Sequence, residues 1–272
     1  MTKERVDVLA YQQGLFDTRE KAKRGVMAGL VINEKNGERY DKPGEKIETT
    51  VILSLKGEKL PYVSRGGLKL ERALSSFAIS SKGKVALDIG ASTGGFTDVL
   101  LQHGANLVYA IDVGTNQLAW KLRQDSRVIS MEQYNFRYAT KADFTQGIPS
   151  LATIDVSFIS LALILPPLQE LLPVSGDVIA LIKPQFEAGR DQIGKKGIIR
   201  EAAVHEAVIR KVTQEACAIG FTVEALDYSP IQGGDGNKEF LVHLIKETHP
   251  INKISDQIES CVEKSHMAFR DK

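Results

Sequence analysis

A buried strand, a glycine-rich turn and the start of a helix follow one another in residues 85–101, and this stretch is well suited to bind a small ligand. The turn spans residues 90–95, and glycine permits both positive φ angles and a close approach of the backbone to a ligand. The pattern differs from the dinucleotide-binding G-x-G-x-x-G, because Ser92 replaces the second glycine and Asp88 precedes the turn. A pyrophosphate would need glycine at the second position and no carboxylate nearby, so this pattern disfavours a dinucleotide. A phosphate loop and a purely structural turn are the alternatives.

The next strands supply further candidate ligand-binding residues. A second apolar strand, residues 108–112, ends in Asp112 about 20 residues beyond the turn, where an acid that binds a ribose is expected. The alternative is that Asp112 caps a helix beginning at Thr115. A short third strand follows and leads to Asn135. If the ribose of the ligand carries an adenine, Asn135 is expected to lie beside it. The predicted cofactor site comprises the turn and these strand ends: Asp88, Gly90, Ser92, Gly94, Gly95, Phe96, Asp112, Val113 and Asn135.

Two charged residues stand at the ends of later strands, where open α/β sheets bind their ligands. Asp155 ends the strand that starts at Leu151, and Lys183 follows the apolar strand of residues 177–182. A lysine directly after five apolar residues is unlike an ordinary surface charge. The glycine-containing, charged segment 184–197 is predicted to be a mobile substrate loop.

Alternating strands and helices beyond Lys84 supply the framework that brings these strand ends together. The alternation indicates an α/β fold with a doubly wound sheet. The helix predicted at residues 159–172 contains Pro166-Pro167 and is expected to be kinked or split. The last two strands, residues 221–228 and 239–245, form a hairpin-like pair, so the final strand is expected to be antiparallel.

Composition limits the classes of protein that the chain can represent. Its 272 residues are 43% hydrophobic and 25% charged, as in an ordinary globular protein with a substantial core. The formal net charge is only +1, so a nucleic-acid surface must be a local patch. Cys217 and Cys261 are far apart, and neither a disulfide framework nor a metal site is expected. The sequence shows neither a signal-like N-terminus nor an apolar run near the ~20 residues of a membrane span, so the predicted location is cytoplasmic.

Residues 1–58 are predicted to form a separate small α+β domain. The pattern indicates a helix ending near Gly14, a second helix capped by Asp17 and Thr18, and short strands after it. Basic side chains lie along the second helix: Arg19, Lys21, Lys23 and Arg24. Residues 1–60 hold 12 Lys and Arg against 10 Asp and Glu, so a positive surface depends on clustering. On charge alone, a solvated helix face is an equal alternative.

The order of these N-terminal elements resembles the S-four RNA-binding module. The resemblance spans about residues 5–55 and is carried by Arg5-Val-Asp-Val-Leu9, Gly14-Leu15, Thr18-Arg19-x-x-Ala22, Gly29-x-Val31 and Lys42-Pro43. It implies that Arg5, Arg19 and the basic positions after Arg19 contact RNA phosphates. Residues 59–66, with their proline, glycine and Arg65, are predicted to be a linker whose arginine also contacts RNA. In the helix that follows, Leu70, Ala73 and Leu74 are expected to face inward and Lys69 to point away from that apolar stripe.

Lys69, Asp155, Lys183 and Glu239, in this order, resemble the Lys-Asp-Lys-Glu tetrad of FtsJ-like 2′-O-methyltransferases. Together with the N-terminal module, nearly the full chain resembles the TlyA family, described as hemolysins and as rRNA 2′-O-ribose methyltransferases. The motifs are Ser64-Arg-Gly-Gly-x-Lys69-Leu70, Asp155-Val-Ser-Phe-Ile-Ser160, Lys183-Pro-Gln-Phe-Glu187 and Gly236-Asn-Lys-Glu239. The glycine turn is similar to motif I of S-adenosylmethionine methyltransferases.

The resemblance implies a Rossmann-like, seven-stranded class I methyltransferase domain over residues 67–272. It also implies S-adenosylmethionine as cofactor and ribosomal RNA or ribosomal subunits as partner, with no membrane and no obligate protein partner. Because a ribose hydroxyl is a poor acid, Lys183 is expected to act as the base or to orient the hydroxyl. Burial and a neighbouring Lys69 would lower the pKa of Lys183, whereas Asp155 would oppose this; Asp155 and Glu239 are expected to orient the reacting groups.

Other activities fit the sequence less well. No Asn-Pro-Pro-Tyr-like motif for amino-group transfer is present, and neither cysteine is placed to act as a nucleophile for C5 methylation. A membrane-damaging hemolysin would need a signal, a hydrophobic hairpin or a strongly amphipathic segment. An RNA-binding assembly factor that retains its cofactor without catalysis is the stronger alternative, although the presence of all four tetrad residues disfavours it.

Overall fold

The computed structural model describes residues 3–16, 18–56, 60–189, 192–194, 197–233 and 236–270. The chain divides into two compact units, Met1–Pro61 and Tyr62–Lys272. The boundary predicted at residue 58 lies outside the described residues, as does Asp17, the proposed partner of Thr18 in capping. Residues 62–66 of the predicted linker belong to the second unit, where the buried Tyr62 hydroxyl donates a hydrogen bond to Glu71 (2.8 Å).

The N-terminal unit combines two helices with two small sheets. Its elements are β1 (Lys3–Arg5), α1 (Val6–Gln12), α2 (Arg19–Met27), β2 (Val31–Asn33), β3 (Arg39–Tyr40), β4 (Lys46–Glu48) and β5 (Leu53–Leu55). β1 pairs with β4, and β3, β2 and β5 form a three-stranded antiparallel sheet. Thr18 caps α2 by accepting a hydrogen bond from the Lys21 amide (3.2 Å). Val6, Ala22, Val26 and Val31 are fully buried and form the centre of the core of this unit.

The second unit is built on a seven-stranded sheet with helices on both faces. Its elements are α3 (Gly67–Ser76), β6 (Val85–Ile89), α4 (Gly95–Gln102), β7 (Leu107–Ile111), α5 (Trp120–Arg123), β8 (Val128–Met131), β9 (Leu151–Ile154), α6 (Leu165–Leu171), β10 (Asp177–Ile182), α7 (Pro184–Glu187), α8 (Ala202–Ile219), β11 (Phe221–Tyr228), β12 (Phe240–Lys246) and α9 (Ile258–Ala268). The strand order is β11-β12-β10-β9-β6-β7-β8. Among the described helices, none has both the length and the apolar character to cross a membrane.

Strand directions in this sheet confirm the predicted α/β class. The five strands from β10 to β8 are parallel, and β12 runs antiparallel to both β10 and β11, as expected for the last strand. Alternate residues of β10 enter different cores: Val178 and Ala180 pack on one face, and Ile179 and Leu181 on the other. Burial on both faces explains why the strands are continuously apolar.

Proline splits the segment that follows β9, as predicted. A short 3₁₀ turn, Leu161–Leu163, is capped by the Ser160 side chain, and α6 starts separately with prolines in its first turn. Since the carboxyl ends of the parallel strands share one edge of the sheet, the loops after β6, β7, β9 and β10 meet there.

Candidate active site

Four charged side chains from distant parts of the sequence meet at this edge of the sheet. Lys69 comes from α3, Asp155 follows β9, Lys183 follows β10, and Glu239 precedes β12. The Lys69 ammonium nitrogen lies 2.6 Å from a Glu239 oxygen and 3.5 Å from Asp155 Oδ2. The Lys183 nitrogen lies 2.6 Å from Asp155 Oδ1 and donates a hydrogen bond to the Ser157 hydroxyl (3.1 Å). Cations and carboxylates therefore alternate in the order Glu239, Lys69, Asp155, Lys183.

These four side chains are largely removed from water. The exposed fractions are 9% for each lysine side chain and 3% for Glu239, whereas Asp155 keeps 19%. Burial works to lower the pKa of Lys69, but Asp155 and Glu239 outweigh it and the pKa is raised. Burial works to raise the pKa of Asp155, but the two lysines hold it below its usual value. Lys69 therefore keeps its proton and Asp155 its negative charge.

The surroundings of Lys69 correct the role expected for it. Its nitrogen does not point to solvent, and its charge is balanced by Glu239 and Asp155 instead of acting as a bare cation on Lys183. A helix pattern shows only which face is apolar, and the buried acids that meet Lys69 come from β9 and β12. Lys69 is better described as the group that fixes Asp155 between two ammonium groups.

The glycines of the turn after β6 accommodate other parts of the chain. Gly90 has φ +87°, and a Cβ there would lie 2.5 Å from the Asp155 carbonyl oxygen. A Cβ at Gly94, φ +95°, would overlap Leu122 and lie 2.7 Å from Leu118. At Gly95 it would overlap the Ser64 hydroxyl. These glycines therefore also allow the turn to pack against the residue after β9, α5 with the segment before it, and the segment before α3, while Gly90 and Gly95 remain in the lining of the cavities described below.

Asp88 is also placed differently from the sequence prediction. Its side chain is fully buried and does not reach a cavity, so it cannot hold the ligand directly. One carboxylate oxygen accepts hydrogen bonds from the Thr97 amide (2.8 Å) and hydroxyl (2.6 Å), and the other accepts one from Thr153 (3.3 Å). Burial raises the pKa of Asp88 to about 7. Asp88 therefore fixes the start of α4 beneath the turn.

Asp112 lies where the sequence predicted a ligand-binding acid. Its carboxylate accepts hydrogen bonds from the amides of Ser92 and Gly114, both 2.8 Å. It caps no helix from Thr115, because α5 begins only at Trp120. Asp112, Ser92, Val113 and Asn135 line one cavity of about 350 Å³, together with Ile111, Phe136, Ile159 and Ile164. A fixed carboxylate beside an apolar slot suits the ribose and adenine of S-adenosylmethionine, so these residues fit that cofactor.

A larger cavity of about 870 Å³ adjoins this one and contains the four charged residues. Gly90, Ser92 and Asp155 line both cavities, so a ligand on the turn and a second molecule beside Lys183 would meet. Phe96, whose ring is buried, and the predicted RNA contact Arg65 also line the larger cavity. A cavity of this size accommodates a nucleotide.

Sequence reasoning missed an aromatic pair in the larger cavity. Phe158 is 90% exposed, adopts φ +63°, and its ring centre lies 4.9 Å from that of Phe186. Exposure of a large ring in an unfavourable backbone conformation is typical of functional positions. Each phenylalanine stands within three residues of Asp155 or Lys183, and this proximity in sequence is the signal that could have revealed the pair.

Basic residues of the N-terminal unit are exposed on α2, but several carry acidic partners. Arg5 makes an ion pair with the buried Asp7 (2.8 Å), and Arg19 lies 3.8 Å from the same carboxylate. Arg24 lies 3.7 Å from Glu20. The Arg5 guanidinium helps to hold the pKa of Asp7 below its usual value. Lys21 and Lys23 are exposed on the same helix, so α2 presents a basic surface that is partly neutralised.

Comparison with known proteins gives one family. A model of the FtsJ-like methyltransferase family matches residues 62–246, more than half of the chain. The match begins with the second compact unit and ends with β12. It therefore includes every strand of the seven-stranded sheet and all four charged residues.

Relatives of similar length extend this match over the first unit. A Bacillus subtilis protein with the provisional name rRNA methyltransferase YqxC is 55% identical over 99% of this chain and 96% of its own. The 16S/23S rRNA (cytidine-2′-O)-methyltransferase TlyA of Mycobacterium tuberculosis is 38% identical over 90% of each chain. The solved structure of a provisionally named hemolysin from Streptococcus thermophilus is 66% identical, with a TM-score of 0.80 over 99% of this chain and 98% of that one.

Proposed function

Because the chain belongs to the FtsJ-like methyltransferase family, we propose that it transfers a methyl group from S-adenosylmethionine to a ribose 2′-hydroxyl of ribosomal RNA. The observation that carries the proposal is the alternating array of Glu239, Lys69, Asp155 and Lys183 beside the cofactor turn. The names of the relatives support a cytidine in small- or large-subunit RNA as the target. The reaction would take place in the cytoplasm, where that RNA is found.

Cofactor binding is assigned to the smaller cavity. Asp112 would bind the ribose hydroxyls, while Val113 and Asn135 would lie beside the adenine. Ser92 contributes through its amide, which holds the Asp112 carboxylate in place (2.8 Å). The cofactor supplies an electrophilic methyl group on a positively charged sulfur. The residues of the turn would place that group at the opening into the larger cavity.

Lys183 is assigned as the group that accepts the proton of the attacking hydroxyl. A 2′-hydroxyl that enters the larger cavity near Asp155 would lie beside the Lys183 nitrogen, which Ser157 and Asp155 orient. Once its amine has released its own proton, Lys183 would accept the hydroxyl proton as the oxygen takes the methyl group and the sulfur keeps the electron pair of the broken bond. Alignment of oxygen, carbon and sulfur supplies a further large part of the rate.

Lys69 and Glu239 act as positioning residues in this proposal. Lys69 lies between Glu239 and Asp155, so it holds Asp155 in the orientation in which Oδ1 reaches Lys183. Before the reaction, with both lysines protonated, the two lysines and two carboxylates sum to no net charge. A balanced array can be buried at lower cost than an isolated charge.

The opening of the larger cavity fits a nucleotide whose base is unstacked from its neighbours in the RNA. Phe158 and Phe186 present an exposed aromatic surface on which a base can stack, a contact worth about 1–3 kcal/mol per base. The N-terminal unit is assigned as an S-four-like RNA-binding domain. Arg5, Arg19, Lys21, Lys23 and Arg24, with Arg65 in the second unit, would contact phosphates.

The proposal is tested in cells by mapping 2′-O-methylation in ribosomal RNA from a deletion strain and its complemented partner. Methylation that is absent without the gene and restored with it would support the proposal and identify the nucleotide. An unchanged pattern of 2′-O-methylation in the deletion strain would contradict it.

Replacement of Asp112 by alanine should weaken S-adenosylmethionine binding roughly tenfold to hundredfold, because a hydrogen-bonding charge is lost and the Ser92 amide is left without its acceptor. Isothermal calorimetry measures the change. Asp125→Ala is the control, since this acid pairs with Arg127 in the same unit and lines neither cavity. Equal cofactor affinity in the Asp112 variant, or tight binding of NAD in its place, would refute the assignment.

Removal of residues 1–58 should weaken binding to ribosomal RNA much more than binding to cofactor, because the basic face of α2 is lost with them. Substitution of Arg19 and Lys23 by glutamine should reduce the slope of log affinity against log salt by about two, one for each phosphate contact. Lys35→Gln, in an exposed turn of the same unit, is the matched control. Full methylation of RNA by the truncated protein would show that the N-terminal unit has been misassigned.

A further inference from the structure

A cluster of basic residues, called here the rim patch, lies on the second unit outside the charged array. It consists of Arg200, Lys238, His266 and Arg270. Two of these are brought together by Asn237, whose side chain accepts a hydrogen bond from the Ile199 amide (3.1 Å) and donates one to the Gly197 carbonyl (3.0 Å). Arg200 follows Ile199 and Lys238 follows Asn237, so these hydrogen bonds bring the two basic residues onto neighbouring segments.

The C-terminal helix α9 supplies the other two. His266 Nε2 lies 3.0 Å from Nδ1 of the buried His205 in α8, which joins the end of α9 to the start of α8. Arg270 lies in the turn after α9, four residues beyond His266. Burial together with Lys238 and Arg270 lowers the pKa of His266, and burial together with Arg200 lowers that of Lys238. The ring of His205 also lies 5.6 Å from that of Phe240, two residues after Lys238, so the end of α9 and the segment before β12 are neighbours.

Nothing in the described chain neutralises the rim patch. Some partly buried basic side chains of this unit have a carboxylate partner: Arg72 pairs with Asp227 (2.8 Å) and Lys84 with Asp177 (2.6 Å). Arg200, Lys238, His266 and Arg270 make no ion pair with a described carboxylate, although Glu201 follows Arg200 directly. Among the described residues, Arg200, Lys238 and Arg270 therefore present positive charge without a paired carboxylate, and a bound anion would be attracted to them.

The rim patch adjoins the active site through neighbouring residues of the chain. Glu239 reaches Lys69 in the charged array (2.6 Å), whereas Lys238 lies towards the two histidines on the other side of the sheet. Both residues stand immediately before β12, at the edge where β9 and β10 end. A polymer that crosses this edge with one nucleotide in the larger cavity would place neighbouring phosphates near Lys238.

We propose that the rim patch binds the phosphate backbone of the RNA substrate on the side of the target nucleotide that faces α8 and α9. The inference rests on the proposed function and adds a second RNA-binding surface, on the methyltransferase unit itself. Arginine suits this role because its planar guanidinium donates two parallel hydrogen bonds to phosphate.

The test uses the full-length protein with Arg200→Gln, Lys238→Gln and Arg270→Gln, singly and combined. Affinity for a labelled ribosomal RNA fragment is measured as a function of salt, beside calorimetry with S-adenosylmethionine. Each substitution should reduce the salt slope by about one, and the triple variant by about three. Cofactor affinity and thermal unfolding should stay unchanged. Lys264→Gln is the matched control, because this exposed lysine lies on α9 outside the patch.

The outcomes separate the rim patch from the proposed function. If the wild type binds RNA and all three variants keep its affinity and salt slope, the rim patch is refuted and the proposed function stands. If the wild type binds no RNA, the proposed function fails with it. Loss of binding to vesicles of anionic lipid, with RNA binding unchanged, would also overturn the proposal, because the patch would then serve a membrane surface.

Discussion

Replacement of Lys183 by alanine is expected to lower methyl transfer to a ribose 2′-hydroxyl by at least ~100-fold, the scale of a lost acid–base group. The truncation removes the nitrogen that lies 2.6 Å from Asp155 and 3.1 Å from Ser157. It leaves intact the turn that lies over Asp88 and the basic residues of α2. Binding of S-adenosylmethionine and of RNA should therefore change little. Transfer of a tritiated methyl group into purified ribosomal subunits, measured beside both binding constants, checks the prediction.

Two further variants test how Lys183 acts. Lys183→Arg should not restore activity, because a guanidinium stays protonated and cannot accept the hydroxyl proton. Ser157→Ala removes one hydrogen bond to the lysine nitrogen and should cost less than Lys183→Ala. Undiminished methylation by Lys183→Ala would remove this lysine from the mechanism, and Asp155 would then be the remaining candidate for the proton.

Replacement of Gly94 by valine should abolish measurable cofactor binding and destabilise the second unit by about 2–5 kcal/mol. The left-handed conformation (φ +95°) costs a valine roughly 1–2 kcal/mol. Overpacking against Leu118 and Leu122 adds about 1–3 kcal/mol. The new side chain displaces α5 and the turn together, so cofactor binding is lost indirectly. Thermal unfolding and calorimetry with S-adenosylmethionine measure the two effects.

Gly83→Val is the matched control for backbone strain. Gly83 also has a positive φ (+75°), but a side chain there would meet nothing within 4 Å. It should therefore show the strain cost alone and keep cofactor affinity. The N-terminal unit should unfold as in the wild type in both variants, since its core shares no residue with the turn. Normal cofactor binding by Gly94→Val would show that packing behind the turn does not control the site.

Prediction from sequence succeeded where a residue type and its place on a strand were enough. Lys183 after five apolar residues and Asp155 at the end of its strand had to meet at one edge once the sheet was parallel. The split at Pro166-Pro167 and the antiparallel β12 followed from proline chemistry and from the hairpin-like pair. Each depended on local rules that tertiary contacts did not override.

Prediction failed where a role depended on which other segment lies nearby. Lys69 was expected on an open helix face, but Glu239, 170 residues away, pairs with it. Asp88 and Gly94 were assigned to the ligand, yet Thr97 and Leu122 occupy the space beside them. The rim patch was not predicted at all, because its residues come from three separate segments that Asn237 and His205 join.

The central claim is that the enzyme methylates a ribose 2′-hydroxyl, and one measurement tests it most directly. Wild-type protein, tritiated S-adenosylmethionine and ribosomal subunits from a deletion strain are incubated, and the labelled RNA is digested with alkali. Alkali cleaves a chain only where a free 2′-hydroxyl is present, so the label should remain in an alkali-resistant dinucleotide, and Lys183→Ala should yield almost none. Label released in single nucleotides would place the methyl group on a base, and that result would contradict the account.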